Sequence, residues 1–205
     1  MSSQDRSPEA ELAGWLSDDP IKPHEVARFL DGLSHDERVE ATRSLGRSQQ
    51  RRLYDAVDAF RPLRLADLVP PGTGALVPVR HFGKNTLPAF SHFEKRFCRP
   101  RTCDAEQPDS LYGFNFQSMS VVTGPGYFTA VPSERAAEVL VDYREIPPEH
   151  PDGWPEIRRN DRGLSRFVYG FMVDTLRGVS EHVTIGSAAR NGKDLGSWFA
   201  LCREA

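Results

Sequence analysis

The segment HVTIGSAARNGKDLGSWFALCR, residues 182–203, decides the fold class. Asn191-Gly192 suits the positive backbone angles of a two-residue hairpin turn, and β-compatible residues flank it on both sides. If the turn alone sets the register, Ile185 faces Trp198, Val183 faces Ala200 and Thr184 faces Phe199. Apolar residues then fall on both faces, so the hairpin has to be covered from each side.

Working upstream, Leu164, Phe167, Val168, Phe171, Met172, Thr175, Leu176 and Val179 follow helical spacing, with Asn160 or Asp161 available as a cap. The spacing predicts an amphipathic helix over 164–179. Before it come alternating or β-rich runs at Leu76–Phe82, Leu111–Gln117, Ser120–Val131 and Glu138–Ile146, separated by turn residues. Pro78 confines the first run to an edge or bulge, and Gly124-Pro125-Gly126 bends the third. Prolines 147, 148, 151 and 155 punctuate a long irregular connection.

The first sixty residues carry helix signals instead. Ser7-Pro8 with Glu9 and Glu11 opens one helix, and Pro23 opens a second with Val26, Phe29, Leu30 and Leu33 on one stripe. Ser34 and Glu37 form a capping-box pair for a third, and Ser48 caps a fourth carrying Leu53, Val57 and Phe60. Val69-Pro70-Pro71-Gly72-Thr73-Gly74 breaks the pattern. The expected architecture is therefore α+β. A helical region over 1–68 precedes a sheet domain over 75–205, in which five or six antiparallel strands form a curved sheet or partly closed barrel with a long backing helix.

Composition narrows the function classes. The chain has 205 residues and a formal net charge of −3, so overall basicity gives no argument for nucleic acid or an anionic membrane. Neither partner is expected. Arginine outnumbers lysine 22 to 4, which fits codon bias better than repeated phosphate recognition. Three cysteines make an incomplete disulfide framework, and residues 1–19 are polar and acidic rather than leader-like. A cytoplasmic location is expected.

Motifs for chemistry are sparse. Gly186 to Lys193 has one residue too many between its glycines for a phosphate loop, and Asp194 stands where a magnesium-binding hydroxyl belongs. G-x-S-x-G and H-E-x-x-H are absent, and Cys98 and Cys103 lack a second pair to hold zinc. No metal site is expected, and no cofactor is specified. The strongest local charge lies in Arg80–Arg101, at +5 overall, interleaved with phenylalanines. There Phe90, Phe93 and Phe97 are spaced as the buried face of a short helix, which places Lys95, Arg96 and Arg99 on its solvated side.

Arg80, His81 and Lys84 lie outside that helix and are candidate ligand-binding residues. Tyr112, Tyr143, Asp142 and Arg144 join them from the strands. Asp142 and Arg144 share a face with Leu140, opposite Val139, Val141 and Tyr143. A polar site results if the Asp142 face turns inward, and ordinary surface charge if it turns outward.

The reading that follows is a small-molecule-binding or interaction module. Its cavity is lined by Tyr112, Phe114, Phe116, Tyr127, Phe128, Tyr143 and Trp198, and its ligand is a small apolar or anionic molecule. Two alternatives carry other chemistry. One is a small barrel enzyme using His81 or Asp142 as base, with Arg80 or Lys84 stabilising negative charge. The other is an adaptor whose N-terminal helices dock a protein partner through Trp15, Leu16, Phe29 and Leu30.

Overall fold

Period-two burial over residues 79–83 and 92–97 places one face of each strand in a common interior, whereas at 183–186 and 199–202 both faces are buried because helices cover the outer side. A computed structural model of the chain describes residues 6–87, 91–117, 124–135, 137–158, 160 and 169–205. Its strands are β1 (Val79–Asn85), β2 (His92–Cys98), β3 (Leu111–Phe116), β4 (Tyr127–Pro132), β5 (Glu138–Asp142), β6 (Met172–Gly178), β7 (Val183–Arg190) and β8 (Lys193–Arg203). Each pairs antiparallel with the next, and β8 returns to β1, so the eight strands close into an up-and-down barrel. Eight strands enclose a space that side chains can fill or that one small ligand can share.

This overturns the α+β expectation of five or six strands with a backing helix. Met172–Gly178, the second half of the expected helix, is strand β6 and bonds to β5 and β7 along its length. The first half, residues 161–168, lies outside the described residues. The expected short helix at Phe90–Phe97 is likewise replaced from His92 onward by strand β2, and Phe90 lies outside the described residues. Both segments misled for one physical reason. An inward position of each strand holds a charged residue, Asp174 in β6 and Lys95 in β2, so the apolar alternation is interrupted and the remaining apolar residues fall at helical intervals.

The hairpin turn forms at Asn191-Gly192, with Arg190 opposite Lys193. Two further residues, Leu195 and Gly196, are then inserted in β8, and Gly196 takes a φ of +59°. Ile185 consequently opposes Ala200 rather than Trp198, and Val183 opposes Cys202. The shift is even, so every side chain keeps its face.

The interior is packed by a repeated cross-strand device. Gly83, Gly113 and Gly186 stand directly opposite Phe93, Phe128 and Phe199, whose rings lie over the space a Cβ would need. At Gly83 that Cβ would fall 2.7 Å from the Phe93 ring. A ring over a glycine lets a bulky side chain lie flat against the wall of a narrow barrel.

Among the described residues five helices precede the barrel: α1 (Pro8–Trp15), α2 (Pro23–Gly32), α3 (His35–Ser44), α4 (Arg47–Ala56) and α5 (Leu65–Leu68). Ser7 caps α1, and Ser34 with Glu37 forms the capping box of α3, where the Ser34 amide donates to the Glu37 carboxylate at 3.0 Å. At α4 the cap is Gly46 rather than Ser48, and the Gln49 side chain accepts from the Gly46 amide at 2.8 Å. Leu12, Leu16, Val26, Leu30, Leu45 and Leu53 pack onto the outer face of β7 and β8 through Val183, Ile185, Ala200 and Cys202. Leu16 and Leu30 are thus buried against the barrel, with Trp15 and Phe29 packed at the edge of the same cluster. α5 was not expected from the sequence. Its Leu65 and Leu68, with Leu63 and Val69, join the barrel's inner core at the end where β1 begins.

Candidate functional site

Along β2 the residues facing the interior are Phe93, Lys95 and Phe97; Asn115 comes from β3, Asp174 from β6 and Tyr143 from the position just after β5. Strand alternation therefore brings an ammonium, a carboxylate, a phenol and a carboxamide together inside an otherwise apolar barrel. Lys95 is 1% exposed and Asp174 2%.

The hydrogen bonds among them form a closed set. The Lys95 ammonium donates to Asp174 Oδ2 at 2.9 Å, to Asn115 Oδ1 at 3.2 Å and to the Tyr143 hydroxyl. That hydroxyl also accepts from Asn115 Nδ2 at 2.7 Å and donates to Asp174 Oδ2 at 3.2 Å. All three ammonium hydrogens are used, while Asp174 Oδ1 has no partner. Aromatic rings surround the ammonium, with the centroids of Tyr143, Phe199, Phe128 and Phe93 at 4.9, 4.9, 5.1 and 5.9 Å. The ring faces supplement the single carboxylate in stabilising the cation.

Burial dominates the ionisation of the group. It pulls the Lys95 ammonium below its ordinary range against the pull of Asp174, and it raises the Asp174 carboxyl against the pull of Lys95. Both directions favour the uncharged forms, so the two groups titrate as one coupled unit. Burial and the adjacent carboxylate lift the Tyr143 phenol well above its usual value.

The cluster forms part of the wall of a cavity of 310 Å³ at the end of the barrel where β1 finishes. Phe93, Phe199, Met172, Tyr169 and Ala188 supply apolar wall, and Asn85, Gln117, Arg190, Ser197 and Trp198 stand around it. Leu87 and Leu195, 51% and 43% exposed, mark its outer rim. The opposite end is shut by α5, where His81 Nε2 meets the Leu68 carbonyl at 3.0 Å and the imidazole packs edge-on against Phe97. Burial lowers its pKa to about 3, so it is a neutral donor to that carbonyl.

Of the residues singled out from sequence, Tyr143 lies in the cavity wall and His81 lies inside the barrel at the shut end. The others stand outside. Arg80 pairs with Glu204 at 2.9 Å, and Lys84 donates to the Ser44 carbonyl at 3.4 Å. Asp142 and Arg144 face outward and pair with each other at 2.6 Å. Tyr112 packs with the outer cluster of Cys98, Phe114, Tyr127 and Trp154. The expected aromatic lining divides accordingly. Tyr143 and Trp198 line the cavity and Phe128 fills the core, while Phe114 and Tyr127 belong to the outer cluster and Phe116 is 40% exposed. Cys98 is buried in that outer cluster, with its thiol pushed up to about 12 by burial.

Sequence reasoning missed Lys95, Asp174 and Asn115. The available signal was a lone charge centred between apolar residues two positions away, Phe93-x-Lys95-x-Phe97 and Met172-x-Asp174-x-Leu176, with opposite signs in the two runs. Among the described residues no helix is long and apolar enough to cross a membrane, and no group of three or more acidic, cysteine or histidine side chains is arranged to hold a metal. No known protein family matches the chain, and no curated protein matches it in sequence.

Proposed function

We propose that the protein binds a small, largely apolar, uncharged molecule in the open end of the barrel, with one polar group of the ligand against Lys95, Asp174 and Tyr143. The observation that carries this reading is a buried ion pair in the wall of an otherwise apolar cavity. Two charges taken out of water lose several kcal/mol of hydration each, and apolar residues of the same volume commonly serve stability as well or better. A pair kept in such a place, beside space for a ligand, is best accounted for by what enters that space.

The charge balance selects the ligand's character. Lys95 and Asp174 neutralise each other, and the ammonium has no hydrogen left to offer an anion. The cationic residues Arg80 and Lys84 stand outside the cavity, and Arg190, which borders it, is already engaged in an interaction of its own. An uncharged molecule adds no net charge to a low-dielectric interior.

Titration with naphthalenemethanol, an apolar ring system bearing one hydroxyl, tests the reading through the fluorescence of Trp198. Saturable quenching in the wild type, lost in Ala188→Trp where an indole occupies the cavity, is the expected result. Absence of saturable binding by this probe and by a panel of similar size, together with native mass spectra showing no retained small molecule, would remove the proposal.

A further inference from the structure

We infer that Lys95 is a nucleophile whose amine condenses reversibly with the carbonyl carbon of an aldehyde or ketone held in the cavity, tethering it as an imine. This rests on the reading that the cavity takes a small apolar molecule, and it names that molecule's reactive group.

Residue choice and geometry carry the inference. Arginine would pair with a buried carboxylate bidentately and never lose its charge, whereas lysine is the cationic side chain that can become a neutral amine. The other lysines differ in setting: Lys22 and Lys193 are exposed and Lys84 partly so. Lys95 alone among them has a proton acceptor in place, Asp174 Oδ2 at 2.9 Å, beside a second carboxylate oxygen without a partner. An apolar surrounding that favours the uncharged amine is the usual means of activating a lysine.

The chemistry balances within these groups. The Lys95 ammonium passes one proton to the Asp174 carboxylate. The freed lone pair attacks the carbonyl carbon, the nitrogen–carbon bond forms, and the carbonyl oxygen takes the proton from Asp174 to become a hydroxyl. The nitrogen then returns a proton to the carboxylate, which delivers it to the hydroxyl. The carbon–oxygen bond breaks, water leaves, and the nitrogen lone pair completes the carbon–nitrogen double bond. The product is an iminium facing the Asp174 carboxylate, so one buried cation replaces another and no charge is added. The ring faces around Lys95 suit either cation.

Naphthaldehyde with cyanoborohydride at neutral pH tests this on the full chain. Reduction converts the iminium to a stable secondary amine, and the protein gains the mass of the aldehyde less one oxygen. Peptide mapping is expected to place the label on Lys95 at roughly tenfold or more above Lys22, Lys84 and Lys193, because the cavity holds the reactants together. Excess naphthalenemethanol, which occupies the cavity but cannot condense, is expected to suppress it. Lys95→Met and Lys95→Arg are expected to lose the label, and the competition with alcohol gives the same information on unaltered protein should either variant fail to fold. Alcohol binding without label at Lys95, or label spread evenly over the four lysines, overturns the imine and leaves the cavity reading intact. If neither alcohol nor aldehyde binds, both fall.

Discussion

Where β1 begins, Leu63, Leu65, Leu68 and Val69 fill the barrel mouth, and the buried ionisable group His81 is held neutral by its burial and donates one hydrogen bond to the Leu68 carbonyl. Where β1 finishes, the same strands leave a cavity, and the buried ionisable groups Lys95 and Asp174 face each other beside it. The shut end has solved a packing problem, since its apolar side chains interlock around an imidazole that is neutral and bonded to backbone through Nε2, with Nδ1 buried without a partner. The open end keeps two charges and a void, neither of which packing requires. The contrast places the candidate site at one end of a barrel whose strands are otherwise alike.

The largest effect should come from splitting the pair. Lys95→Met leaves the Asp174 carboxyl buried without its cation and is expected to lower stability by about 3–5 kcal/mol in urea denaturation. The double variant Lys95→Met/Asp174→Leu is expected to recover most of that loss. A single substitution that changes stability by less than about 1 kcal/mol would mean that water reaches the pair and that the two ends are less different than described.

At the shut end, Leu68→Ala removes a fully buried side chain from an interlocked plug and is expected to cost about 2–5 kcal/mol. Met172→Ala, at a half-buried position already bordering the cavity, should cost about 1 kcal/mol or less. Equal losses at the two positions would erase the distinction between plug and cavity. Between the ends, Gly113→Ala sets a Cβ against the Phe128 ring and the Arg96 carbonyl oxygen, 2.5 Å away, and is expected to cost about 1–3 kcal/mol by the same measurement.

Legibility in the sequence follows the same division. The helix caps at Ser7 and Ser34, the Asn191-Gly192 turn and the alternation of Leu111–Phe116 are local signals, and each appears in the structure near its expected place. Closure of the sheet was not legible because it depends on β2 and β6, the two strands whose inward faces carry Lys95 and Asp174. A charge at an interior position breaks the period that identifies a strand, and its partner lies 79 residues away in sequence. The segments that resisted the local rules are therefore those that build the candidate site, as expected where function overrides local consistency. Asp142 and Arg144 attracted attention because their strand pattern was clear, and for that reason they could be placed only as one face or the other. The structure turns that face outward.

The remaining effect concerns the shut end and acid. The His81 imidazole has a folded pKa of about 3 against 6.5 for an unhindered histidine, chiefly through burial, with Arg203 and Lys95 as the positive charges that oppose its protonation further. Because the folded pKa is the lower one, the unfolded chain binds the extra proton first. The contribution of a neutral His81 is complete above pH 6.5 and declines as pH falls toward 3. Each unit below 6.5 removes about 1.4 kcal/mol from this source. His81→Asn, which retains an N–H donor for the Leu68 carbonyl, should therefore be less stable than the wild type at pH 7.5 yet lose less on going to pH 5.5. The difference between the two slopes in urea titrations isolates this one group, since every other titrating side chain is common to both proteins. Parallel slopes would show that His81 takes up its proton as readily in the folded chain as in the unfolded one, and the dry, interlocked character assigned to the shut end would not survive that result.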